Sequence, residues 1–415
     1  MKKSLKYTLL SLMLATSLSA ASAVDFGGMI TNDSKFSGNT FGKLLLEQKN
    51  SASAWLRIPF NNKGTTYFTA EGVYQFVEKD IKIGDVDANS YDTRYAGIAD
   101  LSLFKFATSW KKTSSQISLS VGRFHSADLS GLVFSQTADG LLAKFDFSRV
   151  SFSLYGAYTG LLNARTVKMV NKNFEHLNGA KFLTEYGEFS PEDTKKHYQR
   201  AESYVIGSAT LSFPNLFASQ TISLQGLGTF KMKDQTDTTY SRIYAELSIG
   251  GPLVSTLYYN INTTFGFSKY DSEDFKVGNL SKVFLTYYAP VKNITLSLGG
   301  VYASGENGGL KPFVGFTSQT ATNALQGRTE YSGIIKPTLA FSIKPVQNLL
   351  LGASGDIIIN AAESPEYEGF QYGVNANWQI VSDVMIGASM YQYFDNDDKD
   401  NRNKSCVQLK AAISF

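Results

Sequence analysis

The chain has 415 residues, 18% of them charged and 13% aromatic, with 35 glycines, 39 Lys+Arg against 36 Asp+Glu and one cysteine. Charge lies below the roughly 25% usual for soluble domains, and the near-neutral balance argues against nucleic acid or another electrostatically attracted partner. A single cysteine excludes an intrachain disulfide, and no long apolar run beyond the leader supports a bundle of membrane-crossing helices.

Lys2, Lys3 and Lys6 precede an apolar run over residues 7–18 and then Ala21-Ser22-Ala23. This is the pattern of a Sec signal peptide spanning 1–23, with small Ala21 and Ala23 placing the expected cleavage after Ala23. About a dozen apolar residues fall short of the roughly 20 that an anchoring helix needs. Loss of the leader removes three lysines and brings basic and acidic residues level at 36 each. The one cysteine, Cys406, is far from the cleavage point, which argues against a lipoprotein.

Residues 24–415 then read as a single domain with apolar residues at period two. Val150, Phe152, Leu154, Gly156 and Tyr158 alternate with Ser151, Ser153, Tyr155 and Ala157, and Phe370, Tyr372, Val374, Ala376 and Trp378 alternate with amides and glycine. Taken in order, the predicted strands cover 25–32, 44–60, 65–77, 93–109, 116–125, 140–147, 150–160, 202–213 and 219–231. The series continues with 240–249, 253–267, 281–289, 293–304, 329–344, 348–360, 367–380, 384–395 and 405–415. That makes 18 strands, or 16 if the weak first pair is misread. Connections alternate short and long, and Pro59, Pro214, Pro252, Pro290 and Pro345 gather at the short ones, where a missing N–H costs no ladder bond. A short-turn rim opposite a long-loop rim is the plan of an all-β, antiparallel, up-and-down transmembrane barrel, with short turns in the periplasm. The first strand begins next to the expected cleavage point, so no N-terminal plug is expected.

In the last strand Val407, Leu409, Ala411, Ile413 and Phe415 form one face and Gln408, Lys410, Ala412 and Ser414 the other. This resembles the C-terminal assembly signal of bacterial outer-membrane porins. With the leader and the even strand plan, the likeness extends at class level to porin-like barrels of 16 to 18 strands. It implies a bacterial outer-membrane location among outer-membrane lipids, and biogenesis through periplasmic chaperones and the barrel-assembly machinery. It further implies a channel for passive or weakly selective diffusion of small hydrophilic solutes, with no enzymatic activity. Both monomers and homo-oligomers occur in that class. Its members fold a third extracellular loop into the lumen; here that loop is 126–139 (SADLSGLVFSQTAD), with Asp128 and Asp139 as its only carboxylates. The other notable extracellular loop is 161–201.

Residues opposite the apolar face must point inward. By that parity Arg57, Glu71, Arg94, Asp100, Lys144, Asp146, Glu202, Lys231, Arg242, Glu246, Lys336, Asp356 and Lys410 are lumen candidates. They serve either as a transverse field for polar solutes or as ion pairs of the wall. Parity from Ile117, Leu119 and Val121 would turn Arg123 to lipid, so it is expected at the upper rim or inward through a bulge. Trp55, Trp110, Tyr258, Tyr259, Tyr287, Tyr288, Tyr391 and Tyr393 fit interface girdles or a stacking surface. A sugar slide would require Tyr155, Tyr204, Tyr244 and Tyr258 to line up. His125, His176 and His197 form no catalytic set by spacing, and 395–401 (DNDDKDN) lacks the Gly and Glu of a calcium loop, so no metal or cofactor is expected. The competing reading is a surface protein with a blocked lumen that acts through its extracellular loops.

Overall fold

A computed structural model describes residues 24–40, 43–84, 94–170, 197–232, 240–270, 276–290, 293–306, 309–317, 331–396 and 403–415. The expected leader, its cleavage site and most of loop 161–201 lie outside the described residues.

The strands are β1 (Asp25–Thr40), β2 (Lys43–Pro59), β3 (Thr66–Gly84), β4 (Arg94–Lys111), β5 (Ser115–Ala127) and β6 (Ser135–Phe147). They continue with β7 (Ser151–Tyr158), β8 (Tyr204–Phe213), β9 (Thr221–Lys231), β10 (Tyr240–Val254), β11 (Leu257–Tyr270) and β12 (Lys276–Ala289). The last six are β13 (Ile294–Ala303), β14 (Ile334–Val346), β15 (Leu349–Asn360), β16 (Tyr367–Val381), β17 (Val384–Asp395) and β18 (Asn403–Ser414). Each pairs antiparallel with its chain neighbours, and β1 also pairs with β18, so one 18-stranded sheet closes on itself. The 16-strand alternative is thereby excluded. Closure leaves no sheet edge unpaired along most of the wall.

Period two explains the wall. Ladder partners share a face, so Leu154 on β7 stands beside Ala143 and Ala209, whereas Tyr155 stands beside Leu142 and Ser208. The first series is outward, with Val121, Leu141, Leu154, Leu224, Ile243, Phe265, Leu298 and Leu339 all exposed. The inner face carries hydroxyls and amides bonded across strands, among them Thr31 with Ser51, Thr286 with Ser297 at 3.1 Å and Gln225 with Thr210 at 2.8 Å. Apolar outside and polar inside inverts the arrangement of a water-soluble domain.

Several strands outrun the expected bounds. β1 continues to Thr40, so the connection to β2 shrinks to residues 41–42. β5 and β6 continue to Ala127 and from Ser135, turning half of the expected loop 126–139 into paired hairpin. Toward the long-loop rim the outward series is no longer apolar, and without that contrast the period is invisible in the sequence. At the other rim, the β2–β3 turn is fixed by Asn61, whose side-chain oxygen accepts the Thr65 N–H at 2.9 Å, with Gly64 at φ 62°. Glycine takes that left-handed conformation without the penalty a Cβ incurs.

At the seam the N–H of Gly28 donates to the Phe415 carbonyl at 2.9 Å and the N–H of Phe415 donates back at 3.0 Å. Val407, Leu409, Ala411 and Ile413 follow outward on β18, facing Met390, Ala388, Ile386 and Val384 of β17. Phe415 itself is 75% exposed on the outside.

Candidate functional site

Residues 128–134, between β5 and β6, form a tight turn organised by a single carboxylate. Asp128 accepts the backbone N–H groups of Ser130 (2.9 Å), Gly131 (3.0 Å), Val133 (3.1 Å) and Phe134 (2.7 Å), and also the Ser130 hydroxyl. The turn reaches inward. The N–H of Leu129 donates to Gln225 Oε1 at 3.1 Å and lies 3.2 Å from Glu246 Oε2, on strands β9 and β10. Those strands lie four and five positions round the wall from β5, so this third long-rim loop crosses part of the bore.

Two further loops lock onto it. Between β13 and β14, Phe316 and Thr317 donate their N–H groups to the Val133 carbonyl at 2.8 and 3.0 Å, and the Thr317 hydroxyl accepts the Ser135 N–H at 2.9 Å. Between β7 and β8, Val170 donates its N–H to the Phe316 carbonyl at 3.1 Å. Arg242 of β10, 2% exposed, clasps the pair by donating to the carbonyls of Gly315 and Val170. Glu246, 5% exposed, is held by the Asn262 amide at 2.6 Å as well as by Leu129. Buried charges must be hydrogen-bonded to be tolerated, and here both serve loop attachment.

An apolar cluster fills the space between these loops and the wall. Val133, Phe134, Leu162, Val167, Met169, Phe313 and Phe316 pack on Phe124, Tyr155, Tyr204, Leu227, Tyr244, Leu280 and Ile358. Gly278 on β12 permits this: a Cβ there would come within 2.8 Å of the Phe313 backbone. The cluster takes no residue from β18, β1, β2 or β3.

Arg123 marks a split in the wall. The β4–β5 ladder ends at Phe104 and Arg123, while β5 continues with β6 and β4 with β3. Above that point the 159–203 loop takes over: Ala99 donates its N–H to the His197 carbonyl at 3.1 Å, and Asn163 and Arg165 donate side-chain N–H groups to the carbonyls of Ala99 and Gly97. Arg123 joins the pieces. It donates to both carboxylate oxygens of Asp139 at 2.8 Å, to the Leu161 carbonyl at 2.7 Å and to the Leu101 carbonyl at 3.2 Å, with Asp100 at 3.5 Å. The β5–β6 register is unbroken, so Arg123 and Asp139 keep the outward parity of Val121 and Leu141. Asp139, expected inward, is therefore a wall residue beneath the loop, and Arg123 needs no bulge because the loop covers it. Breaking a buried pair costs about 3–5 kcal/mol. Arg123→Met is expected to lower the thermal midpoint and to speed proteolytic nicking between 161 and 201, with Arg123→Lys intermediate. An unchanged nicking rate would refute this role.

The other inward candidates form pairs. Lys336 lies 3.6 Å from Asp356, which also accepts from Thr338 and Gln371, at a point where the β14–β15 ladder skips Lys336 and Pro337. Lys144 and Asp146 pair at 3.0 Å, Lys231 and Glu202 at 3.4 Å, and Lys410 and Asp33 at 3.8 Å. Glu71 accepts the Ser102 hydroxyl at 2.8 Å, and Arg57 stacks over Tyr67 at 4.4 Å. The backbone of Arg94 opens β4, but its side chain lies outside the described residues, as do His176 and most of 395–401. Among the described residues no group of His, Cys, Asp or Glu is placed to hold a metal ion.

The aromatics divide. Trp55, beside Gly27 in the ladder, shares the inner face of Ser53 and Ser51 rather than an outer girdle. Tyr155, Tyr204 and Tyr244 are buried in the loop cluster, so they form no row with Tyr258. Sequence parity missed Gln225, Asn262, Phe313 and Phe316, which carry the loop attachments. Gln225 and Asn262 were legible as inward amides. The two phenylalanines lie in a loop whose contacts are set by strands far away in sequence.

No family model matches the chain, and no curated protein matches it. Solved structures do. Pseudomonas aeruginosa OccK9 (OpdG) superposes with a TM-score of 0.55 at 10% identity, covering 94% of this chain and 98% of that one. Pseudomonas aeruginosa OpdK with vanillate gives 0.54 at 9%, covering 94% and 98%. A variant of OccD1 (OprD) gives 0.53 at 11%, covering 96% and 98%. At such identity the likeness concerns the fold: a closed 18-stranded barrel over nearly the full length of both chains.

Proposed function

We propose that this chain is an outer-membrane channel for passive or weakly selective diffusion of small hydrophilic solutes. One observation carries the reading: a closed barrel, apolar outside and polar inside, whose bore is narrowed by loops pinned to its inner wall. The outer belt suits lipid, and the inner hydroxyls, amides and paired charges suit water and polar solutes. In this reading the 128–134 turn, anchored by Gln225 and Glu246 and backed by the two loops that Arg242 clasps, is the constriction. The remaining inward charges, Arg57, Glu71, Lys144 and Lys410 among them, set charge preference. The leader directs export, and the last strand is the assembly signal. Vanillate, bound by OpdK, is a reasonable first solute to try.

The apolar cluster inside the bore favours one competing reading, a blocked barrel acting through its outer loops. Incorporating the refolded chain in a planar lipid bilayer separates the two. The channel reading expects discrete conductance steps with a measurable ion preference. Folded, heat-modifiable protein that inserts without conducting would favour the blocked barrel.

A further inference from the structure

Two tyrosines near the short-turn rim point into the barrel. Tyr258 of β11 is level with Thr286 of β12, and Tyr288 lies two residues further along on the same face. Their rings meet at 5.4 Å with an interplanar angle of 80°. Tyr259 and Tyr287 alternate with them and take the outer face, next to Leu285 and Leu296. Thr286 bonds Ser297 on the same face, and their apolar neighbours of opposite parity, Leu285 and Leu298, take the outer one.

The pair borders a recess of about 500 Å³ lined by Ser255, Tyr258, Tyr259, Asn260, Thr286 and Tyr288. Tyr258 and Tyr288 are 39% and 49% exposed. Opposite Asn260 in the ladder stands Gly250, where a Cβ would come 3.2 Å from the Asn260 amide nitrogen. Its absence leaves that amide uncovered.

The recess thus offers a corner made of one ring face and one ring edge, two phenol hydroxyls, an amide and aliphatic hydroxyls. None of its lining residues is charged. A pyranose ring matches this chemistry: its C–H face packs on an aromatic face, and its hydroxyls exchange with neutral groups that both donate and accept. A carboxylate-bearing aromatic would call for a cation, which the lining does not supply. We infer that this recess binds the ring of an uncharged sugar at the inner end of the bore, an inference that rests on the channel reading for access.

Saturation-transfer NMR on the full chain in detergent micelles, with methyl α-D-glucopyranoside as probe, tests it without requiring conduction. Saturation of the sugar ring protons is expected, falling about fivefold or more in Tyr258→Ala and Tyr288→Ala, and falling in Asn260→Ala should the aromatic truncations not fold. Tyr287→Ala on the outer face should leave it unchanged. No saturation in the unaltered chain, equal saturation in all variants, or saturation of benzoate in place of the glucoside would overturn the inference. Conductance of the same preparations in a bilayer separates this from failure of the channel reading: steps without sugar saturation sink the sugar site alone.

Discussion

Asp128→Ala is expected to free the third loop from the bore and raise the unit conductance in planar bilayers, with noisier open levels. The carboxylate holds four backbone N–H groups and a hydroxyl of its own turn. Hydrogen bonds to a charged group contribute about 1.5–3 kcal/mol each, and even a fraction of that sum exceeds the stability of a seven-residue turn left to itself. Once the turn disorders, the Leu129 bonds to Gln225 and Glu246 and the Val133 bonds to Phe316 and Thr317 go with it. Asp128→Asn, which keeps acceptor capacity at one oxygen, should lie between. Single-channel recording reads the difference, and an Asp128→Ala protein with unaltered conductance would show that the turn does not limit flow.

The second large effect is expected at the seam. Removing Phe415 deletes both backbone bonds to Gly28, and Gly28→Val sets a side chain where a Cβ already comes within 2.6 Å of the Phe415 ring and 2.8 Å of the Ser53 carbonyl. A barrel gains its stability by having no free edge, so loosening the closing pair exposes backbone donors and acceptors to lipid. Each unsatisfied group there costs several kcal/mol. Both changes should reduce the heat-modifiable folded fraction sharply after refolding into detergent or lipid, the deletion more than the substitution. Equal folded yields for the three proteins would contradict a sealing role for this contact.

The strand plan and the two faces were readable because lipid on one side and water on the other impose period two wherever both are present. That contrast fails toward the long-loop rim, which is why β1, β5 and β6 run further than their patterns indicate. Arg242, Glu246, Lys336 and Asp356 could be assigned inward by parity alone. What Arg242 and Glu246 meet could not, since Gly315, Val170 and Leu129 come from loops 72 to 117 residues away in sequence, beyond any local motif. Asp139 misled because parity was stopped at its strand's expected start; continued from Leu141, it would have given the outward face. The wall split at Arg123 has no signature in one sequence, because it depends on one loop replacing a strand partner.

The inner loops sort the barrel's charges into two electrostatic populations. Beneath them, Arg242, Glu246, Lys336 and Asp356 are sealed from solvent and their interactions are little affected by added electrolyte. Away from them, Lys410 with Asp33 and Lys144 with Asp146 have side chains 52%, 29%, 50% and 31% exposed, within reach of mobile ions whose screening length is about 8 Å at physiological ionic strength. Ion preference governed by the exposed pairs should therefore weaken as salt rises, whereas the width set by the sealed loops should not.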